Sequence, residues 1–134
     1  MAIGLVTSLR TTMATDIITA IDAGGAAGSI TFYNGTQPAT GDAATTALAV
    51  LPLSYPCGVS AAGVLTFSAI TSDNSADATG TATWARIQTS ASVFVIDMTA
   101  TVTGGGGDVT LGSVSISTGQ QVSVTSAAIT IGGA

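Results

Sequence analysis

The chain of 134 residues carries a formal net charge of −5, and 46% of its residues are hydrophobic whereas only 7% are charged. It contains no histidine, lysine or glutamate, and Arg10 and Arg86 are its only cations. The commonest general base, the usual amine nucleophile and most phosphate-neutralising groups are therefore missing, so we expect a protein that is not an enzyme, needs no cofactor and binds no nucleic acid. The length predicts one domain over residues 1–134.

The first stretch, "MAIGLVTSLR", predicts an N-terminal arm over residues 1–7. It has no basic segment before its apolar residues, so we expect no secretory signal. The longest apolar runs, such as residues 47–53, are far shorter than the ~20 residues that cross a bilayer, so we expect no membrane partner.

A helix is predicted over residues 8–23, because Leu9, Met13, Ile17 and Ile21 recur at helical spacing. Such a stripe usually faces its own core, so we favour a helix that covers one side or end of a sheet. The alternative is that this helix or the arm docks on a neighbouring subunit. The arm residues in that case are Ile3, Leu5 and Val6.

From residue 29 to residue 131 the apolar pattern has the period of two that is typical of strands, and turn-forming residues separate the segments. The pattern predicts a mainly β protein: an antiparallel β-sandwich, of which the jelly roll is one form, with one N-terminal α-helix. The seven predicted strands are residues 29–33, 47–53, 64–70, 80–88, 92–102, 108–116 and 121–131.

A hairpin with Ser90 and Ala91 at its tip is predicted to have one core face and one polar face. The core face consists of Ala85, Ile87, Phe94, Ile96 and Met98. On the other face Trp84 lies opposite Asp97, and Arg86 lies one diagonal step away. This group is either a local surface brace or a contact patch, since Trp and Arg are enriched at binding hot spots.

Three short motifs suggest ligand sites, and each has a simpler explanation. Residues 73–80, "DNSADATG", group oxygen ligands as a calcium loop does, but the spacing fits an Asx-type turn better. The glycines at 104–107 lack the following helix and the lysine of a phosphate loop, so we expect a flexible tip between two strands. Asn34 begins an Asn-Gly turn whose loop can touch a partner.

Cys57 is the only cysteine, so it forms no disulfide within the chain and belongs to no thiolate cluster. No histidine is available to activate its thiol. We therefore expect a small buried residue without a reactive role.

Three stretches carry a resemblance to a known family: "DIITAIDAGGAAGSITFYNGTQPATGD", "TTALAVLPLSYP" and "GVLTFSAITSDNSADATGTATWARI". They resemble small proteins encoded among the virion-structure genes of tailed bacteriophages and prophages. The resemblance runs over about residues 10–131 and includes no catalytic signature. The chain differs from many relatives in its fewer charges and its longer glycine run.

The resemblance implies a virion component, and small β-sandwich proteins of this class serve as capsid decoration or cement proteins. We therefore expect a non-enzymatic homo-oligomer on the capsid surface, assembled in the bacterial cytoplasm, that binds the major capsid protein and stabilises the head. An alternative is a tail-fibre or tip module that binds a bacterial surface glycan. The expected partner contacts are Ile3, Leu5, Val6, Asn34, Trp84 and Arg86.

Overall fold

The computed structural model describes residues 3–132, so two of the seven predicted arm residues lie outside the described part. Within that part the chain forms one α-helix, α1 (Thr7–Ile21), a 3-10 turn (Asp22–Gly24) and ten strands. The prediction of a mainly β protein with one N-terminal helix is confirmed. The strands are β1 (Ser29–Tyr33), β2 (Ala47–Pro52), β3 (Gly58–Ala61), β4 (Val64–Phe67), β5 (Gly80–Thr81), β6 (Trp84–Gln88), β7 (Phe94–Val102), β8 (Val109–Leu111), β9 (Ser115–Ile116) and β10 (Val124–Thr130).

Eight strands form one sheet in the order β2-β1-β6-β7-β8-β10-β4-β3, which curls into a half-barrel, and β5 pairs with β9 in a separate ribbon. All neighbours in the large sheet are antiparallel except β7 and β8, which are parallel. Side chains from both halves of the sheet pack into one hydrophobic cluster. Its large members include Ile30, Phe32, Leu48, Leu51, Ile87, Met98, Val109, Leu111 and Ile116.

The helix packs against the hairpin of β3 and β4, and its contact face differs from the predicted stripe. Ala14 and Ile21 are buried, whereas Leu9 and Met13 are 45% and 39% exposed. The hydroxyl of Thr11 accepts a hydrogen bond from the amide of Gly63, at 2.9 Å, which fixes the rotation of the helix. The expectation that the whole stripe covers the sheet is therefore wrong for Leu9 and Met13.

The β6–β7 hairpin has a register two residues away from the predicted one. Its tip is a three-residue turn in which Ser92 has a φ of 63°, and a bulge follows Ile87. Arg86 therefore lies directly opposite Asp97, while Trp84 pairs with Thr99. A shift of two residues keeps side chains on their predicted faces, but the bulge moves Phe94 to the face of Arg86.

The glycine run lies between two strands, β7 and β8, as predicted. These two strands are neighbours in the sheet and run parallel to each other, so the run is not the tip of a hairpin. Val109 pairs with Ala100, so the loop of residues 103–108 must step back along β7 before β8 begins. Gly104 and Gly106 have φ values of 84° and 85°, a conformation that favours glycine. A Cβ on Gly105 would lie 2.8 Å from the side chain of Thr101. Both the conformation and the space therefore require glycine here.

We predict that Gly105→Ala destabilises the protein by about 1–3 kcal/mol, because the added methyl group overpacks the loop against Thr101. Gly112→Ala is the matched control, since a Cβ there meets nothing within 4 Å and its φ is not positive. Urea unfolding of both variants measures the difference. Equal stability of the two variants would contradict this account of the loop.

Candidate functional site

A buried polar cluster lies beneath the loop of residues 34–46, on the face of β1, β6 and β7 opposite the core. The Arg86 guanidinium forms two hydrogen bonds with the Asp97 carboxylate, at 2.7 and 3.0 Å. It also donates to the backbone carbonyl of Asp42 in the loop, at 2.9 Å. The hydrogen bonds with the Asp97 carboxylate raise the pKa of Arg86 above its ordinary value, outweighing the opposite effect of burial. The cluster therefore ties the loop to two strands.

Trp84 fills the other half of this cluster. Its ring stacks on Tyr33 with a centroid distance of 4.3 Å, and the Arg86 guanidinium lies 5.3 Å from the Trp84 centroid. The indole N–H lies 3.2 Å from the carbonyl oxygen of Asn34 and 3.1 Å from the hydroxyl of Thr45. The carboxamide oxygen of Asn34 accepts the amide of Thr46 at 3.2 Å, which closes the loop on itself.

The structure thus brings three of the predicted contact residues together, but in the interior. Trp84 has no exposed surface and Arg86 is 7% exposed, so the two do not form an exposed contact patch. The predicted ion pair beside Trp84 is present as a buried brace, because the loop of residues 34–46 covers it. Asn34 is half-buried and belongs to the same brace.

The acidic turn after β4 contains the predicted Asx-type turn and protects an edge strand. One Asp73 carboxylate oxygen accepts the amide of Ser75 at 2.9 Å, and the other accepts the amide of Val50 in β2 at 3.0 Å. The Asp73 backbone pairs with Val122. Both oxygens therefore hold backbone donors, and residues 3–132 contain no group of three His, Cys, Asp or Glu side chains placed to hold a metal ion.

Cys57 is buried, which confirms that part of the prediction. Its backbone amide donates to both carboxylate oxygens of Asp22, at 3.2 and 3.1 Å. Burial, and to a lesser extent the charge of Asp22, raises the pKa of the Cys57 thiol from 9.0 to about 12. The thiol is therefore protonated and shielded at neutral pH, and it has little nucleophilic character.

Apolar side chains are exposed at the start of the chain. In the described part of the arm, Ile3 is 74% and Val6 is 66% exposed, while Leu5 is half-buried. Leu9 and Met13, one turn apart on α1, extend this apolar surface, and we call these two residues the helix face. The contact candidates of the arm therefore lie on the surface, unlike Trp84 and Arg86.

A second uncovered apolar feature lies at the other end of α1. It is a cavity of about 470 Å³ between the end of the helix and the β6–β7 turn, which we call the helix-end groove. Among residues 3–132, no charged side chain lines it. The lining residues are Ala20, Ala23, Gly24, Thr89, Ala91, Val93, Phe94 and Val95.

No protein-family model, no curated protein and no solved structure matches this chain. In the described part of the chain, no helix has the length and apolar character needed to cross a bilayer.

We predict that Asp97→Asn lowers the free energy of unfolding by about 3–5 kcal/mol, because it leaves the Arg86 charge buried without its counter-ion. Asp16→Asn, at an exposed helix position, is the control and should change stability by less than about 0.5 kcal/mol. Chemical denaturation measures both values. A double variant, Arg86→Met with Asp97→Leu, should lose less than Asp97→Asn alone. Similar stability of Asp97→Asn and Asp16→Asn would refute the brace.

We also predict that Cys57 makes stability depend on pH in the alkaline range. Its folded pKa of about 12 lies above the unfolded value of 9.0, so its contribution is complete below pH 9 and is lost as the pH rises towards 12. Denaturation curves at about pH 8 and about pH 11 measure the loss. Cys57→Ala should show a smaller loss than the unaltered protein, and an identical loss would show that other groups cause it.

Proposed function

We propose that this chain is a non-enzymatic virion structural protein of a tailed bacteriophage: a capsid decoration protein that binds the major capsid protein and stabilises the head. The observation that carries the proposal is the exposed apolar pair of the helix face, Leu9 and Met13, displayed on a tightly braced β-fold. Leu9 and Met13 remain exposed there, whereas another face of α1, which includes the buried Ala14, packs on β3 and β4. The family resemblance of the sequence supports the same role.

The surface chemistry suits permanent attachment to a large protein shell. Charged residues make up 7% of the chain, and neutral hydroxyl, amide and methyl groups take their place. Covering such groups costs less desolvation free energy than covering ammonium or carboxylate groups. A low-charge surface therefore favours stable burial against a partner over a freely diffusing existence.

The bracing of the fold suits mechanical stabilisation. The Arg86–Asp97 ion pair ties the loop of residues 34–46 to the sheet, and Asp73 covers the edge of β2. Each brace joins segments that are distant in sequence, so local opening must break several contacts at once. A cement protein must resist outward pressure, and this construction supplies that resistance.

On the capsid, the proposed partner of the helix face is the major capsid protein, and neighbouring copies of the chain form a homo-oligomer. A single helix face buries a small area, but many copies on one particle add their contacts. The proposed location is the outer capsid surface, with assembly in the bacterial cytoplasm.

The proposal is tested on virions of the phage that encodes the chain. Particles are stripped of this protein, purified protein is returned, and copies per particle are counted by quantitative gel and cryo-EM. We expect hundreds of copies over the shell together with recovered resistance to heat and osmotic shock. A handful of copies at the tail would favour host recognition instead, and binding nowhere on the particle would refute a virion role.

A paired variant tests the helix face itself. Leu9→Asp combined with Met13→Asp should abolish add-back, because burying two new carboxylates against a partner is costly. Val102→Asp is the control: Val102 has the same 45% exposure as Leu9 and lies at the end of β7. Circular dichroism confirms that each variant folds. Loss of add-back in the control alone would place the contact elsewhere.

A further inference from the structure

Two asparagines occur in the chain, Asn34 and Asn74, and the structure places them in different chemical surroundings. Asparagine is one of the thermolabile residues. The backbone nitrogen of the following residue can attack the carboxamide carbon and close a succinimide ring. This reaction requires a following amide that is not committed to a hydrogen bond and that can approach the carboxamide.

At Asn34 the attacking nitrogen is available. The next residue, Gly35, is exposed, and its φ of 76° is in the left-handed region that favours glycine. Gly35 takes part in the turn through its carbonyl oxygen, which accepts the hydroxyl of Thr83, whereas its amide donates to no acceptor in residues 3–132. Because Gly35 has no Cβ, no side chain obstructs the approach of its nitrogen to the carboxamide.

The Asn34 carboxamide is held in a way that assists this attack. The Thr46 amide donates to the carboxamide oxygen at 3.2 Å. Attack on the carboxamide carbon moves negative charge onto this oxygen, and a hydrogen-bond donor that is already in place stabilises such charge. The loop therefore supplies both the nucleophile, from Gly35, and a donor for the developing oxyanion, from Thr46.

Asn74 differs from Asn34 at the attacking nitrogen. The next residue is Ser75, whose amide already donates to the Asp73 carboxylate at 2.9 Å. The Asn74 carboxamide oxygen accepts the side-chain amide of Gln121 at 3.1 Å, so it too has a donor. Attack by the Ser75 nitrogen must first break a charge-assisted hydrogen bond, which is stronger than a neutral one. Asn74 is therefore an internal control for Asn34.

We propose that Asn34 and Gly35 form a site of spontaneous covalent modification, at which Asn34 becomes aspartate or isoaspartate in the folded protein. Hydroxide removes the proton of the Gly35 amide, and the nitrogen forms a bond to the Asn34 carboxamide carbon. The bond from this carbon to the side-chain nitrogen then breaks, and the nitrogen leaves as ammonia with a proton from water. Water finally opens the succinimide ring at either carbonyl. This proposal is independent of the capsid role.

The isoaspartate product alters the base of the loop of residues 34–46. Its chain runs through the former carboxamide carbon, so the backbone gains an atom and the former backbone carbonyl becomes a free carboxylate. That carbonyl oxygen now accepts the Trp84 indole N–H and the Thr45 hydroxyl. The modification therefore places a negative charge beside the buried Trp84 ring. We expect the loop to loosen and the fluorescence of Trp84, the only tryptophan, to change.

The test incubates the purified full chain at mildly alkaline pH, both folded and unfolded in guanidinium chloride. Peptide mass spectrometry with electron-transfer fragmentation measures conversion at each asparagine and separates aspartate from isoaspartate. In the folded protein we expect Asn34 to convert at least as fast as in the unfolded chain. Asn74 should convert roughly tenfold or more slowly in the folded protein than in the unfolded chain, because the hydrogen bond of the Ser75 amide must break first.

Asn34→Gln is the control variant, since glutamine keeps a carboxamide but closes its larger ring more slowly. It should lose both the mass change at this position and the change in Trp84 fluorescence during incubation. Slower conversion of Asn34 in the folded protein than in the unfolded chain would overturn the proposal, because the fold would then protect the site. Equal conversion of Asn34 and Asn74 in the folded protein would overturn it as well.

Discussion

The parallel pairing of β7 with β8 joins the two halves of the sheet, and the glycine run makes that pairing possible. On one side lie β2, β1 and β6, and on the other lie β10, β4 and β3. Parallel neighbours usually need a crossover of a dozen residues or more, whereas residues 103–108 achieve the return in six. The Thr101 hydroxyl accepts the amide of Gly107, which holds the loop against the strand. A bulkier loop would separate the halves and divide the single core.

Several of the few charges of this chain act as internal braces. Asp97 pairs with Arg86, Asp73 receives the amides of Val50 and Ser75, and Asp22 receives that of Cys57. Through Arg86 the Asp97 carboxylate holds the covering loop, Asp22 holds the end of α1, and Asp73 holds the turn after β4 against the outer edge of β2. Charge-assisted hydrogen bonds are stronger than neutral ones, so a few acidic residues can define the loops of a fold that is otherwise stabilised by apolar packing.

Sequence patterns located most of the strands but not the relations between them. The alternation of polar and apolar residues over residues 29–33 predicts both ends of β1 correctly, because a regular strand places successive side chains on opposite faces. The strand β3 was missed, since its two-residue turn uses Ala62 at a φ of 51°, a conformation that alanine seldom adopts. The predicted register of the β6–β7 hairpin was also wrong, because nothing in the sequence marks the bulge after Ile87. At the site, the pairing of the isolated Arg86 with Asp97 was predictable, whereas the burial of Trp84 depends on a distant loop.

The use of charge inside the fold has a consequence at its surface. Carboxylates that accept backbone amides contribute less to the solvation of the exterior. Exposed apolar groups on most domains are flanked by charges that oppose self-association. Here Ile3, Val6 and Leu9 precede or adjoin a single cation, Arg10, whose side chain lies against Gly63. The chain has few charges, and several of them brace its interior. The apolar residues at the start of the chain therefore remain available for contact with another protein surface.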